Sequence, residues 1–132
     1  MFVPPETIDE LPLVSFAIGQ KLIEEGTAGA ELYFLVDGAV EILKGSTVIA
    51  RVRERGAMFG EMSVLLACPH TATVRATSEV SCRVSRDPLQ YLASHPAVMF
   101  YVGRILAHRI ESLNRYLVDV KAQLHEQGTW PW

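Results

Sequence analysis

Between Phe59 and Ala76 a Gly60-Glu61 pair precedes a short apolar run, and Pro69-His70-Thr71-Ala72-Thr73-Val74 follows it. These residue types in this order could cradle a sugar and an anion. Backbone N–H groups at the start of a helix attract negative charge. A glycine there lets a ligand come close to the main chain, and a carboxylate accepts hydrogen bonds from sugar hydroxyls. Glu61 can also serve as a surface carboxylate or a helix-end cap. The Phe59-Gly60 pair before it favours the ligand role.

Such residues need a frame, and the chain supplies it in two regimes. From Val14 to Ser85, apolar residues alternate or cluster in short runs between turn residues. Val14, Phe16 and Ile18 alternate with Ser15 and Ala17. Leu32 to Val36 is a continuous apolar run closed by Asp37-Gly38, which reads as a hairpin turn. Ala39 to Leu43 follows, and Lys44-Gly45-Ser46 turns the chain again. Val48, Ala50 and Val52 alternate with Ile49, Arg51 and Arg53, as Val80, Cys82 and Val84 do with Ser81, Arg83 and Ser85. Short strands every ~8–12 residues predict a mainly β fold, an antiparallel jelly-roll-like β-roll (a double-stranded β-helix) over about residues 13–86. Val64, Leu65 and Leu66 are expected to form the core face of a short helix within it.

Helical signals then take over, from about residue 87 to 127. Asp87-Pro88 suits a helix start, with the aspartate as N-cap and proline at the first helical position. Leu89 to Ser94 forms a short helix, and Pro96 lets a second one begin. No proline interrupts Ala97 to Gln127. Leu106, Ile110, Leu113, Leu117, Val120 and Leu124 stand 4, 3, 4, 3 and 4 residues apart, a heptad seam. A helix of ~30 residues extends ~45 Å, more than a domain this small needs for its own coverage. The seam is therefore expected to pack against a second copy in a parallel homodimer, although a stripe covering its own barrel has the same spacing. Gly128-Thr129-Trp130-Pro131-Trp132 is too short for a domain and could dock on the partner.

With 132 residues, 49% hydrophobic and 20% charged, the chain is expected to form one globular domain over residues 1–132. A formal net charge of −3 argues against a chain whose main task is to grip nucleic acid. Cys68 and Cys82 alone make no disulfide framework. The start lacks a signal-peptide pattern, and no apolar stretch approaches the ~20 residues that cross a bilayer. A cytoplasmic location without membrane contact is the expectation.

The cassette from Phe59 to Ala76, with Leu32-Tyr33-Phe34-Leu35-Val36-Asp37-Gly38-Ala39-Val40 and Gly56 before it, resembles the cyclic nucleotide-binding domains. That family includes catabolite-activator-type regulators, regulatory subunits of cyclic-nucleotide-dependent kinases and domains of nucleotide-gated channels. The resemblance implies a β-roll, a phosphate-binding cassette and a long helix. It implies that Glu61 bonds the ribose 2′-hydroxyl, and that main-chain amides from Gly60 onward, through Met62 and Ser63, hold sugar or phosphate beside Phe59. It implies that the Thr71 hydroxyl meets a phosphate oxygen, next to Ala72. Polar residues midway along the long helix touch the purine in catabolite-activator relatives, partly across the dimer. Asn114 is the residue here that could read a base edge.

His70 stands where the family usually has the arginine that pairs with the cyclic phosphate. Arginine brings a permanent charge and a bidentate fork. Histidine makes one bond per ring nitrogen, and an unperturbed imidazole is mostly neutral at pH 7. A missing charge-assisted bond of ~1.5–3 kcal/mol and a missing second contact lower affinity by roughly one to three orders of magnitude. If His70 is the phosphate partner, affinity strengthens as pH falls from 8 to 6. Arg51, Arg53 and Arg75 read as solvated strand residues.

Other readings follow from the same residues. Cys68-Pro69-His70 could supply two soft or borderline ligands to haem or a metal, but two adjacent ligands rarely suffice. His95, His108 and His125 lie in the helical half. An enzyme of the cupin type needs several histidines on adjacent strands, and only His70 lies in the β half. No catalytic residue, metal site or cofactor is expected. No recognition helix follows the long helix, so DNA binding by this chain alone is not expected. The expectation is thus a regulatory module that binds cyclic AMP or cyclic GMP weakly, homodimerises through its long helix and signals to a further protein. The alternatives are a degenerate, non-binding interaction domain and the sensor part of a transcription regulator.

Overall fold

The computed structural model describes residues 2–124. A 3-10 helix, Glu6–Glu10, leads into eight strands: β1 (Leu13–Phe16), β2 (Lys21–Ile23), β3 (Leu32–Asp37), β4 (Val40–Lys44), β5 (Thr47–Val52), β6 (Met58–Phe59), β7 (Thr73–Ala76) and β8 (Val80–Ser85). Helix α1 (Glu61–Leu66) interrupts them between β6 and β7, and α2 (Pro88–Ser94) and α3 (Pro96–Leu124) close the chain. The strands form two four-stranded antiparallel sheets, ordered β1-β8-β3-β6 and β2-β7-β4-β5. This is the expected β-roll followed by a short and a long helix. The 3-10 helix and the two-residue β6 carry no strong periodic signal and were not foreseen.

The turn at Asp37-Gly38 does not make a hairpin. β3 pairs with β6 and β8, whereas β4 pairs with β5 and β7, so the chain crosses here from one sheet to the other. A type I′ hairpin needs positive φ at both central residues. Only Gly38 has it, at 93°. Asp37 stays in the ladder opposite Ser81, beyond an irregularity after Leu35. Lys44-Gly45-Ser46, by contrast, does join a paired hairpin, with Lys44 opposite Thr47.

Two apolar clusters hold the fold together. The first fills the space between the sheets, with Leu22, Ile23, Leu35, Val40, Phe59, Val74 and Cys82 among its members. The second lies outside the β3 sheet, where Leu32, Phe34 and Met58 meet Ile8, Leu92, Val98, Tyr101 and Val102. β3 is thus covered on both faces, the condition under which a strand reads as an unbroken apolar run. The hydroxyl of Tyr101 donates to the Gly56 carbonyl at 2.6 Å, fixing the base of α3 on the β5–β6 turn.

Two local expectations change. Of the α1 residues placed on a core face, only Val64 is buried; Leu65 and Leu66 are exposed. A helix of six residues touches the roll along one narrow stripe, and Glu61, Ser63 and Val64 fill it. Of the seam on α3, Leu106 is partly buried against the second core cluster. Asp87 precedes α2 as expected but makes no side-chain cap bond, leaving Pro88 at the first turn as the start signal. The end of the expected long helix past Leu124, His125 and the Trp130-Pro131-Trp132 tail lie outside the described residues.

Burial pushes the Cys82 thiol up from 9.0 to about 12. It also raises the phenols of Tyr33, Tyr91 and Tyr101. These acids ionise more readily in the unfolded chain. Stability is therefore full below pH 9 and declines as pH rises from 9 toward 12. Urea unfolding at pH 8 and pH 10.5 is expected to give a lower midpoint at the higher pH; an equal midpoint would contradict this account of the core.

Candidate functional site

A pocket of about 240 Å³ opens beside α1, against the β2-β7-β4-β5 sheet. Ile23, Ile42, Ala50, Val52 and Val74 give it an apolar wall. Phe59, Gly60, Glu61, Met62 and Ser63 line it from the β6–α1 junction, and His70, Thr71 and Ala72 from the return toward β7. Eight of the nine expected site residues therefore come together. The ninth, Asn114, is not among the residues lining the pocket of the single chain. α3 contributes Arg109 instead, five positions earlier.

Local backbone geometry explains why this junction has its sequence. Gly60 precedes α1 with φ of 89°, and a Cβ there would stand 2.5 Å from the Glu31 carbonyl oxygen. Only glycine fits, and its turn starts α1 with Glu61 inward. Glu61 is 7% exposed. Its Oε1 accepts a hydrogen bond from Arg109 Nη1 at 2.6 Å. Arg109 Nη2 also donates to the Met58 carbonyl at 3.4 Å. Glu61 Oε2 is buried and has no hydrogen-bond partner among the described residues. Most buried polar atoms are partnered, so this oxygen is an exception that calls for a reason.

Arg109 was missed from sequence because it sits between seam positions, among charged residues read as solvated. A signal was present. Val98, Val102, Ile105 and Arg109 follow each other at steps of 4, 3 and 4. The core-facing stripe of α3 runs on to this arginine.

His70, one of the lining residues, is tied into the protein through its main chain and one ring nitrogen. Its amide donates to the Thr27 carbonyl at 3.0 Å, and its carbonyl accepts from the Gly26 amide at 2.8 Å. The ring is buried, with Nδ1 3.1 Å from Ser63 Oγ. Ser63 Oγ also lies 3.1 Å from the Gly60 carbonyl oxygen, so its hydroxyl links the start of α1 to the His70 ring. Nε2 faces Gly29, where a Cβ would lie 2.2 Å from it. His70 thus ties α1 to the β2–β3 loop.

Of the neighbouring cations, Lys44 and Arg75 have partners. Lys44 Nζ donates to the Thr71 carbonyl and lies 3.6 Å from Glu25. Arg75 pairs closely with Glu41 across β4 and β7, and Arg51 and Arg53 are exposed. Among the described residues no three His, Cys, Asp or Glu gather as metal ligands would. No helix among them is long and apolar enough to cross a membrane.

Comparison with known proteins places this geometry among relatives. Residues 13–94 match the family model described as cyclic nucleotide-binding domain. The chain is 29% identical over 117 residues to the CRP-like cAMP-activated global transcriptional regulator of Mycobacterium tuberculosis, covering 84% of this chain and 52% of that protein. It is 34% identical over 86 residues to the cAMP-dependent protein kinase regulatory subunit of Emericella nidulans, covering 64% of this chain and 21% of the relative. The chain thus spans about half the length of the first relative and about a fifth of the second. The crystal structure of Thermus thermophilus catabolite activator protein superposes with a TM-score of 0.73 at 21% identity, over 86% of this chain and 56% of that one.

Proposed function

This chain belongs to the family of cyclic nucleotide-binding domains, and we propose that it is a regulatory domain that takes cyclic AMP or cyclic GMP, weakly, between α1 and α3. The reading includes no catalytic step, no resident cofactor and no DNA contact by these residues. The observation that carries it is Glu61 Oε2, a buried acceptor without a donor in the pocket wall. A sugar hydroxyl supplies the donor that this oxygen lacks. Arg109 holds the other oxygen and fixes the carboxylate.

Oε2 is closed to water, so a ligand hydroxyl reaches it through a small shift of the α1 start or of Arg109. That shift is the proposed link from ligand to α3, because a ligand moves an equilibrium through contacts that differ between its two states. Past the core, α3 presents Ile110 and Leu113 at 52% and 60% exposure. Together with Leu117 and Val120 they keep heptad spacing, which supports a homodimer through this helix. A cytoplasmic setting and a downstream protein partner belong to the same proposal.

The competing reading is a module that keeps the fold but has lost ligand control. The tie of His70 Nδ1 to Ser63, with Nε2 directed at Gly29, favours it. Thermal denaturation separates the two. At 1 mM cyclic AMP, a dissociation constant of about 100 μM stabilises the domain by ~1.4 kcal/mol and raises Tm. An unchanged Tm with both cyclic nucleotides at 10 mM supports the module without a ligand.

A further inference from the structure

Building on the reading of this pocket as a ribose site, we infer that its preferred ligand is an uncharged nucleoside and that the phosphate of a cyclic nucleotide is a handicap here. The charges of the pocket cancel internally. Its carboxylate, Glu61, and its guanidinium, Arg109, are bonded to each other at 2.6 Å. Arg109 carries the only permanent positive charge among the lining residues. A phosphate entering the pocket would find that cation already held, and would sit close to the carboxylate that holds it.

The residue at the clamp position does not change this balance. The His70 ring's Nδ1 lies 3.1 Å from Ser63 Oγ and is taken up there. Nε2 is directed at Gly29, which does not line the pocket. Lys44, on β4, is bound to the Thr71 carbonyl and is not a lining residue either. Moving an anion out of water without an uncommitted countercharge is unfavourable.

The remaining groups suit a neutral ligand. The acceptor without a partner, Glu61 Oε2, takes a sugar hydroxyl. The aliphatic wall from Ile42 to Val74 accommodates the face of a heteroaromatic base. A volume of about 240 Å³ falls below the ~300–1,000 Å³ usual for drug-sized ligands and matches a compact one.

Calorimetric titration of the full chain with adenosine, guanosine and the two corresponding cyclic nucleotides tests this. At least one nucleoside is expected to bind tenfold or more tightly than its own cyclic nucleotide. Cyclic nucleotides binding as tightly as their nucleosides, or more so, would overturn the inference and leave the ribose site standing. Failure of all four to bind would overturn both. In a His70→Arg variant whose circular dichroism matches that of the natural protein, the preference should shift at least tenfold toward the cyclic nucleotide. An unchanged ratio in that folded variant would overturn the part assigned to position 70.

Discussion

Substitution of Glu61 by glutamine is expected to weaken ligand binding about five- to thirtyfold while the fold persists. Glutamine keeps the length and an acceptor oxygen, so the packing of α1 on the roll changes little. The charge is what it loses. A hydrogen bond to a charged group is worth ~1.5–3 kcal/mol and one between neutral groups ~0.5–1.5, so the change removes about 1–2 kcal/mol. Arg109 simultaneously loses the countercharge that fixes it at 2.6 Å, which loosens the link between α1 and α3. Calorimetric titration of natural and variant proteins measures the ratio directly. Equal affinities in two equally folded proteins would remove Glu61 from the site.

The second large effect is expected at Gly60. Gly60→Ala places a Cβ 2.5 Å from the Glu31 carbonyl oxygen at a φ of 89°. The left-handed backbone alone costs ~1–2 kcal/mol for a residue with a side chain. The clash comes on top, and a backbone carbonyl cannot rotate aside as a side chain would. A total of ~2 kcal/mol or more lowers Tm by about 8 °C or more for a domain of this size. Gly19 supplies the control. Its φ is 85°, yet nothing lies within 4 Å of the Cβ position. Gly19→Ala should therefore lose only the conformational part. Equal losses at Gly19 and Gly60 would show that the close approach of the β2–β3 loop to the cassette contributes nothing.

Much of this was legible in the sequence, because burial writes itself as a period. The alternation of Val80, Cys82 and Val84 placed β8, and the resemblance carried by Phe59 to Ala76 pointed to Gly60, Glu61, His70 and Thr71, which line one pocket. Partnerships between distant segments leave no such trace. Asp37-Gly38 reads locally as a hairpin, but which sheet each flanking strand joins is decided by β7 and β8, some forty residues later. Leu65 and Leu66 read as core because apolar type was the only guide, while the roll leaves room for one side of α1. Arg109 meets Glu61 across 48 residues of sequence. Nothing local marked the pair, although the stripe through Val98, Val102 and Ile105 ran toward it. His70 was noticed for its type, and the direction of its ring follows from Ser63 and Gly29, which sequence spacing does not bring together.

The central claim is that Glu61 Oε2 is held ready for a sugar hydroxyl. Calorimetric titration with cyclic AMP and with its 2′-deoxy counterpart tests it most directly, since the two ligands differ in that hydroxyl alone. The account predicts that the 2′-deoxy compound binds at least tenfold more weakly, the loss of one charge-assisted hydrogen bond of ~1.5–3 kcal/mol. Equal affinity for the two would contradict it.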